Sequence, residues 1–218
     1  MSDTAFPAAS ASASASAPVS GQAGRVERIE RIDALLPQTQ CRRCGYDGCR
    51  PYATAIAEGR EPINRCPPGG QAGIAALAAL LGCAALPLDT QCGPEGDAGV
   101  AWIDPVACIG CARCLPPCPV DAIVGAQRYL HTVQSTRCTG CELCIASCPV
   151  DCIVMRPRAV ADPAPEPQYN RRRYDDHIAR HARLERERAV LVAERKRGAH
   201  ADDAPADGVH AEEAAAAQ

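Results

Sequence analysis

Residues that build a conventional core are scarce in this 218-residue chain: leucine, isoleucine, valine and phenylalanine together supply about 17% of it, with a single Phe. The 47% hydrophobic content misleads, because alanine provides much of it. So low a content of large apolar residues lies in the range of disordered chains, although a net charge of −3 is too small to force disorder. A hydrophobic core alone cannot organise the whole chain. No run of 18 apolar residues occurs, so no segment is expected to span a membrane. Met1 is followed by Ser2 and Asp3, without the basic and apolar stretches of a secretory signal. Nothing resembles a nucleotide loop, a general base or a substrate pocket, and no catalytic residues are expected.

Cysteine is abundant instead. There are fifteen, an odd number, set at metal-ligand spacings, which points to a reducing cytoplasmic compartment over a secreted disulfide framework. The densest stretch runs from Cys108 to Val154 and reads CIGCARCLPPCPVDAIV, thirteen further residues, then CTGCELCIASCPVDCIV. Each half is Cys-x2-Cys-x2-Cys-x3-Cys-Pro, repeated thirty positions on, so that Cys108, Cys111, Cys114 and Cys118 map onto Cys138, Cys141, Cys144 and Cys148. This is the spacing of a bacterial-type ferredoxin with two [4Fe–4S] clusters. Two-residue gaps let one tight loop curl its three thiolates round a cubane, and the fourth Cys, one turn further on, faces the other cluster. One cluster is therefore expected on Cys108, Cys111, Cys114 and Cys148, and another on Cys138, Cys141, Cys144 and Cys118. Tetrahedral zinc sites are usually built from separated Cys pairs, which disfavours zinc here. Clusters bound this way couple folding to cofactor binding and organise what a small core cannot.

A second constellation lies upstream. CRRCGYDGC, sixteen residues and CPPGG place Cys41, Cys44, Cys49 and Cys66 in a Cys-x2-Cys-x4-Cys-x16-Cys pattern. On spacing alone it fits either a [4Fe–4S] cluster or structural zinc. Gly45 and Gly48 suit a backbone turning close to a cofactor. Tyr46 and Tyr52 fit either a shield for the site or ordinary core packing.

The remaining segments follow from periodicity and composition. Residues 1–24, rich in Ala and Ser, are expected to be disordered. Val26, Ile29, Ile32 or Asp33, and Leu36 predict a helix that Pro37 stops. PYATAIAEG predicts a short helix ended by Gly59. GQAGIAALAALLG predicts another, with Ile74, Leu77 and Leu81 inward and Gly82 as its stop. Residues 87–99 read as a linker, with Trp102 and Ile103 opening the first strand of the ferredoxin module. Each half of that module is expected to give a short strand pair and a helix, with Val133 and IVMRP as edge strands. His131, in the connection between halves, is expected to be solvated. Cys83, Cys92 and Cys152 are spare, and expected to be buried and inert. Residues 158–170 form a Pro/Ala linker. Arg171 to Arg197 carries ten Arg or Lys against five Asp or Glu and predicts a solvated basic helix. Its charge suits an acidic partner or an anionic membrane surface, while no nucleic-acid motif accompanies it. Residues 198–218 are expected to be disordered.

Taken together, LLPQTQCRRCGYDGCRPYATAIAEG, INRCPPGG and GIAALAALLG resemble the first Fe–S domain of one subunit of the Rnf/Rsx-type ion-translocating electron transport complex, its ferredoxin-like B-type component. CIGC, CPVDAIVGA, HTV, CTGC and CPVDCI resemble the second domain of that component. The resemblance covers roughly residues 26–157 and implies a [4Fe–4S] cluster at Cys41, Cys44, Cys49 and Cys66, making three clusters in all. Members of that family in membrane complexes usually begin with a hydrophobic anchor, whereas residues 1–24 are polar, so a variant without the anchor is expected. The resulting expectation is an α+β protein. A small helical four-Cys Fe–S domain spans 25–86 and a bacterial-type two-[4Fe–4S] ferredoxin domain spans 100–157, flanked by the disordered N-terminal tail and the C-terminal charged helix. Its implied role is electron relay among the other subunits of such a complex, from the cytoplasm or peripherally on the cytoplasmic face of the bacterial inner membrane. The alternative is a free-standing soluble ferredoxin serving another oxidoreductase. Neighbouring genes for other complex subunits would separate the two.

Overall fold

The computed structural model describes residues 22–96, 99–159 and 163–202. Most of the two tails expected at 1–24 and 198–218 lies outside the described residues. The chain divides between residues 97 and 98 into two compact units.

The first unit is helical. Helix α1 (Gln22–Ala34) turns Ile29 and Ile32 inward, with Leu36 buried just after it. It begins at Gln22, so residues 22–24, counted above with the disordered tail, are its first turn. Val26 is not part of the buried stripe: it is 52% exposed, and buried Asp33 shares the inward face. Pro37 disfavours helix in the residue before it, and the chain leaves α1 through two tight turns, Leu35 N–H to Ile32 C=O and Leu36 N–H to Asp33 C=O. Helix α2 (Cys49–Ala57) packs against α1 and buries Tyr52, Ala53 and Ile56, with left-handed Gly59 (φ 68) just beyond it. Tyr52 closes the loop that follows: its hydroxyl donates to the Pro62 carbonyl at 2.8 Å and accepts the Arg65 N–H at 3.0 Å. Helix α3 (Gly70–Leu81) places Ile74 and Leu77 in the same core, with Leu81 packed at its edge, and stops at left-handed Gly82. Residues 87–96 are not a free linker. Asn64 holds the Pro87 carbonyl at 2.7 Å, Asp89 N–H returns to the Asn64 carbonyl at 2.9 Å, and Glu95 accepts the Gln71 N–H at 2.9 Å, capping α3.

The second unit begins with two small antiparallel sheets. Strand β1 (Val100–Ile103) pairs with β4 (Ile153–Arg156), Val100 opposite Arg156 and Ile103 opposite Ile153. Strand β2 (Ile123–Val124) pairs with β3 (Thr132–Val133). Each half thus contributes two strands, but the pairs form between the halves, not within them as expected. Gly99 (φ +90) starts β1 where a Cβ would sit 2.2 Å from the Arg156 carbonyl oxygen, so only glycine fits without a shift. The helix expected in each half is absent among the described residues. Single turns stand in its place, Cys118 N–H to Leu115 C=O and Cys148 N–H to Ile145 C=O. Only three residues separate the third and fourth Cys of each motif, and Pro116 and Pro117 interrupt the first, so no further helical turn can close.

Helix α4 (Pro167–Asp202) is longer than the charge run that signalled it, and it takes its first turn from the expected 158–170 linker. Its early turns bury Asn170 and His177 in the second unit, whereas every residue from 183 to 197 is exposed. The solvated basic helix of the sequence is therefore its distal half. Among the described residues no helix is long and apolar enough to cross a membrane.

Candidate metal centres

None of the fifteen cysteines is in a disulfide. Twelve of them line three small recesses. The recess of the first unit is lined by Cys41, Cys44, Cys49 and Cys66, with Leu36, Tyr52 and Pro67 closing it. In the second unit, Cys118, Cys138, Cys141 and Cys144 line one recess. Cys108, Cys111, Cys114 and Cys148 line the other. The fourth Cys of each ferredoxin motif thus lies with the triple-Cys loop of the opposite motif.

Backbone conformation explains how short loops make such recesses. In the second unit the thirty-residue repeat carries its own dihedral code, with left-handed Gly110 and Gly140, Ala112 and Glu142, Asp121 and Asp151. In the first unit Gln38, Gln40, Arg42 and Gly45 alternate left-handed residues through the approach to Cys44. Left-handed residues between right-handed or extended ones gather successive N–H groups into concave nests that favour anions, including Fe–S centres. Ala122 N–H meets the Cys118 sulfur at 3.2 Å. Gly69 leaves room beside Cys66, where a Cβ would stand 3.3 Å from the sulfur.

The chemistry of the donor set fits iron–sulfur ligation. Burial pushes the Cys49 and Cys66 thiols up to about 12, against the opposing N–H groups of Gln40 and Gly69. Burial also pushes Cys141 and Cys144 up to about 12 and Cys114 to about 11, and neighbouring thiols add to each. Thiols raised in this way ionise only around strong positive charge, so loading must release protons and acid must favour the metal-free chain.

Several residues beside the recesses gave no sequence signal. Gln40 and Gln38 are buried: Gln40 accepts the Cys49 N–H at 2.9 Å and donates to Gln38 at 2.8 Å, and Gln38 donates to Asp33 at 3.1 Å. The chain Asp33–Gln38–Gln40 thereby fixes the start of α2 from the end of α1. His131, expected in solvent, is 4% exposed, with Nδ1 3.7 Å from the Cys108 sulfur; the β2–β3 hairpin folds it back over Gly125. Cys152 is buried 3.4 Å from the Cys148 sulfur and lines the same recess, and Cys92 is buried as expected. Cys83 is exposed, a correction that follows from its place just past the Gly82 stop.

Three cysteine-lined recesses on an α+β scaffold define an iron–sulfur protein. Residues 36–68 match the family described as "Putative Fe-S cluster", and residues 101–155 match "4Fe-4S dicluster domain". The chain is 59% identical over 131 residues to a protein of Sodalis glossinidius, covering 60% of this chain and 68% of that one. It is 59% identical over 105 residues to a protein of Azoarcus sp., covering 48% and 57%, and 60% identical over 104 residues to one of Stutzerimonas stutzeri, covering 48% and 53%. All three relatives are named as the B-type component of the "Ion-translocating oxidoreductase complex". The chain belongs to that family of complex components, although it spans little more than half the length of most of the curated relatives it matches. No solved structure matches it.

Proposed function

We propose that this chain relays electrons through three [4Fe–4S] clusters as the B-type component of an Rnf/Rsx-type complex, with the other subunits of the complex as its partners. The ligands are Cys41, Cys44, Cys49 and Cys66 for the first cluster; Cys108, Cys111, Cys114 and Cys148 for the second; and Cys138, Cys141, Cys144 and Cys118 for the third. The observation that carries this reading is the lining of each recess by four free cysteines. Bound clusters supply one-electron transfer. The chain's own part is to hold the thiolates, to point N–H groups at sulfur and to exclude water, which together set each potential. Protein purified without oxygen should contain about twelve irons per chain and, reduced with dithionite, show interacting [4Fe–4S] signals by electron paramagnetic resonance. About eight irons and one zinc would make the first recess a structural zinc knuckle and overturn the three-cluster relay.

The proposed place of work is the cytoplasmic face of the bacterial inner membrane, reached peripherally through the exposed, basic distal half of α4. Juxtamembrane Arg and Lys near anionic lipid contribute about 1 kcal/mol each at low salt, and salt screens the attraction. The protein should therefore sediment with anionic vesicles at low ionic strength and stay in solution with neutral ones. Deleting Arg171 to Arg197 should abolish the effect; unchanged sedimentation would sink the membrane contact and leave the electron relay standing.

A further inference from the structure

The two ferredoxin motifs are near copies, yet their surroundings differ, and one difference lies just after the fourth Cys. After Cys118 the knuckle Pro119-Val120-Asp121 is covered, with Val120 1% exposed, while the repeat-related Pro149-Val150-Asp151 lies open, with Val150 40% exposed. Helix α4 is what engages the first knuckle. Arg180 grips the Asp121 carboxylate with both nitrogens at 2.5 and 2.6 Å, His177 Nδ1 stands 2.9 Å from the same carboxylate, and Arg173 donates to the Asp121 carbonyl at 3.0 Å. These residues sit at i, i+4 and i+7, one face of a helix. They meet a residue only three positions from Cys118. Arg173 is half-buried there, with Nη1 buried and unpartnered, so its charge is poorly screened.

We propose that α4 is a clamp that makes the two repeat-related cluster sites electrically unequal, raising the potential of the centre held by Cys118, Cys138, Cys141 and Cys144. A cation beside a centre that gains negative charge favours its reduced form. Arg173 is half-buried, so water screens it less than Arg180, whose side chain is 38% exposed. Two guanidinium groups face one carboxylate at this knuckle, which leaves a positive surplus. No such clamp covers exposed Asp151 among the described residues. Glu142 lines the clamped recess and acts in the opposite sense, so the clamp's own share is the shift that its removal causes.

This inference rests on the proposed cluster reading, and one experiment separates the two. Arg180→Gln removes the charge and keeps a hydrogen-bonding head for Asp121. In a redox titration of the full chain followed by electron paramagnetic resonance, one of the resolved waves should move to lower potential. Its reduced-to-oxidised ratio at fixed potential should fall threefold to tenfold, tenfold being about 59 mV for one electron. The other waves should not move, and neither should any in Arg183→Gln, on the exposed part of the same helix. If Arg180→Gln releases α4, Arg173→Gln probes the same field through the backbone contact. Unmoved waves in both variants, or waves that all move together, would overturn the clamp. Wild-type protein without reducible clusters would overturn the reading beneath it.

Discussion

Cys118→Ala is expected to empty the site built on Cys138, Cys141 and Cys144, at least twenty residues downstream, and to leave the site of its own motif filled. The Cys118 sulfur lines the recess of the second loop and is absent from the recess of the first. It is buried, accepts the Ala122 N–H at 3.2 Å and belongs to the same core cluster as Cys138 and Cys144. Alanine would remove one iron ligand and leave that N–H without its sulfur acceptor, which costs about 1–3 kcal/mol before any metal is counted. Iron should fall by about four per chain, because three thiolates leave one corner of the cubane unheld. Alkylation of the native variant followed by mass spectrometry locates the loss. Cys138, Cys141 and Cys144 should become reactive, and Cys108, Cys111 and Cys114 should stay protected. Reactivity at Cys108, Cys111 and Cys114 instead would mean that each motif holds its own cluster, and the crossed ligand sets would be wrong.

The crossed ligand sets were expected from thiolate spacing, since two-residue gaps and a Cys-Pro one turn on leave few ways to surround a cubane; what the structure adds is the lining of each recess. Helices α2 and α3 were legible for a similar reason, since Gly59 and Gly82 supply the left-handed residues that end them. What stayed hidden depends on contacts between distant positions. His131 is buried because a hairpin of two-residue strands turns it onto Cys108, and nothing local distinguishes it from a solvated loop histidine. Asp121 and Arg180 meet across 59 positions, and the expectation of a solvated basic helix gave that helix no inner face. Gln38 and Gln40 gave no sequence signal. Their role comes from left-handed backbone that turns both side chains inward. Residues 87–96 had the composition of a linker, and it is Asn64 and Gln71, from elsewhere in the unit, that bind them.

The first unit should prove equally dependent on its metal. Cys49 is the first residue of α2, its N–H is held by Gln40, and its thiol is buried in the core with Ile29, Ile32, Leu36, Tyr52 and Ile56. Cys49→Ala should therefore do more than remove a ligand. It leaves Cys41, Cys44 and Cys66 facing an incomplete centre, and Cys66 keeps a buried thiol with nothing positive to draw off its proton. With only about 17% large apolar residues in the chain, the core has little to hold α1, α2 and α3 together once ligation is lost. The expected result is loss of about four irons per chain, with new proteolytic cuts confined to residues 22–96. Signals and protection of the ferredoxin module should persist, because the two units are separately compact. Cys92→Ala is the matching control: Cys92 is buried in the same unit but does not line the recess, so that variant should keep all its iron. If Cys49→Ala loses its iron yet resists proteolysis as the wild type does, the hydrophobic core suffices alone. The cluster would then be a passenger in that unit, not its organising centre.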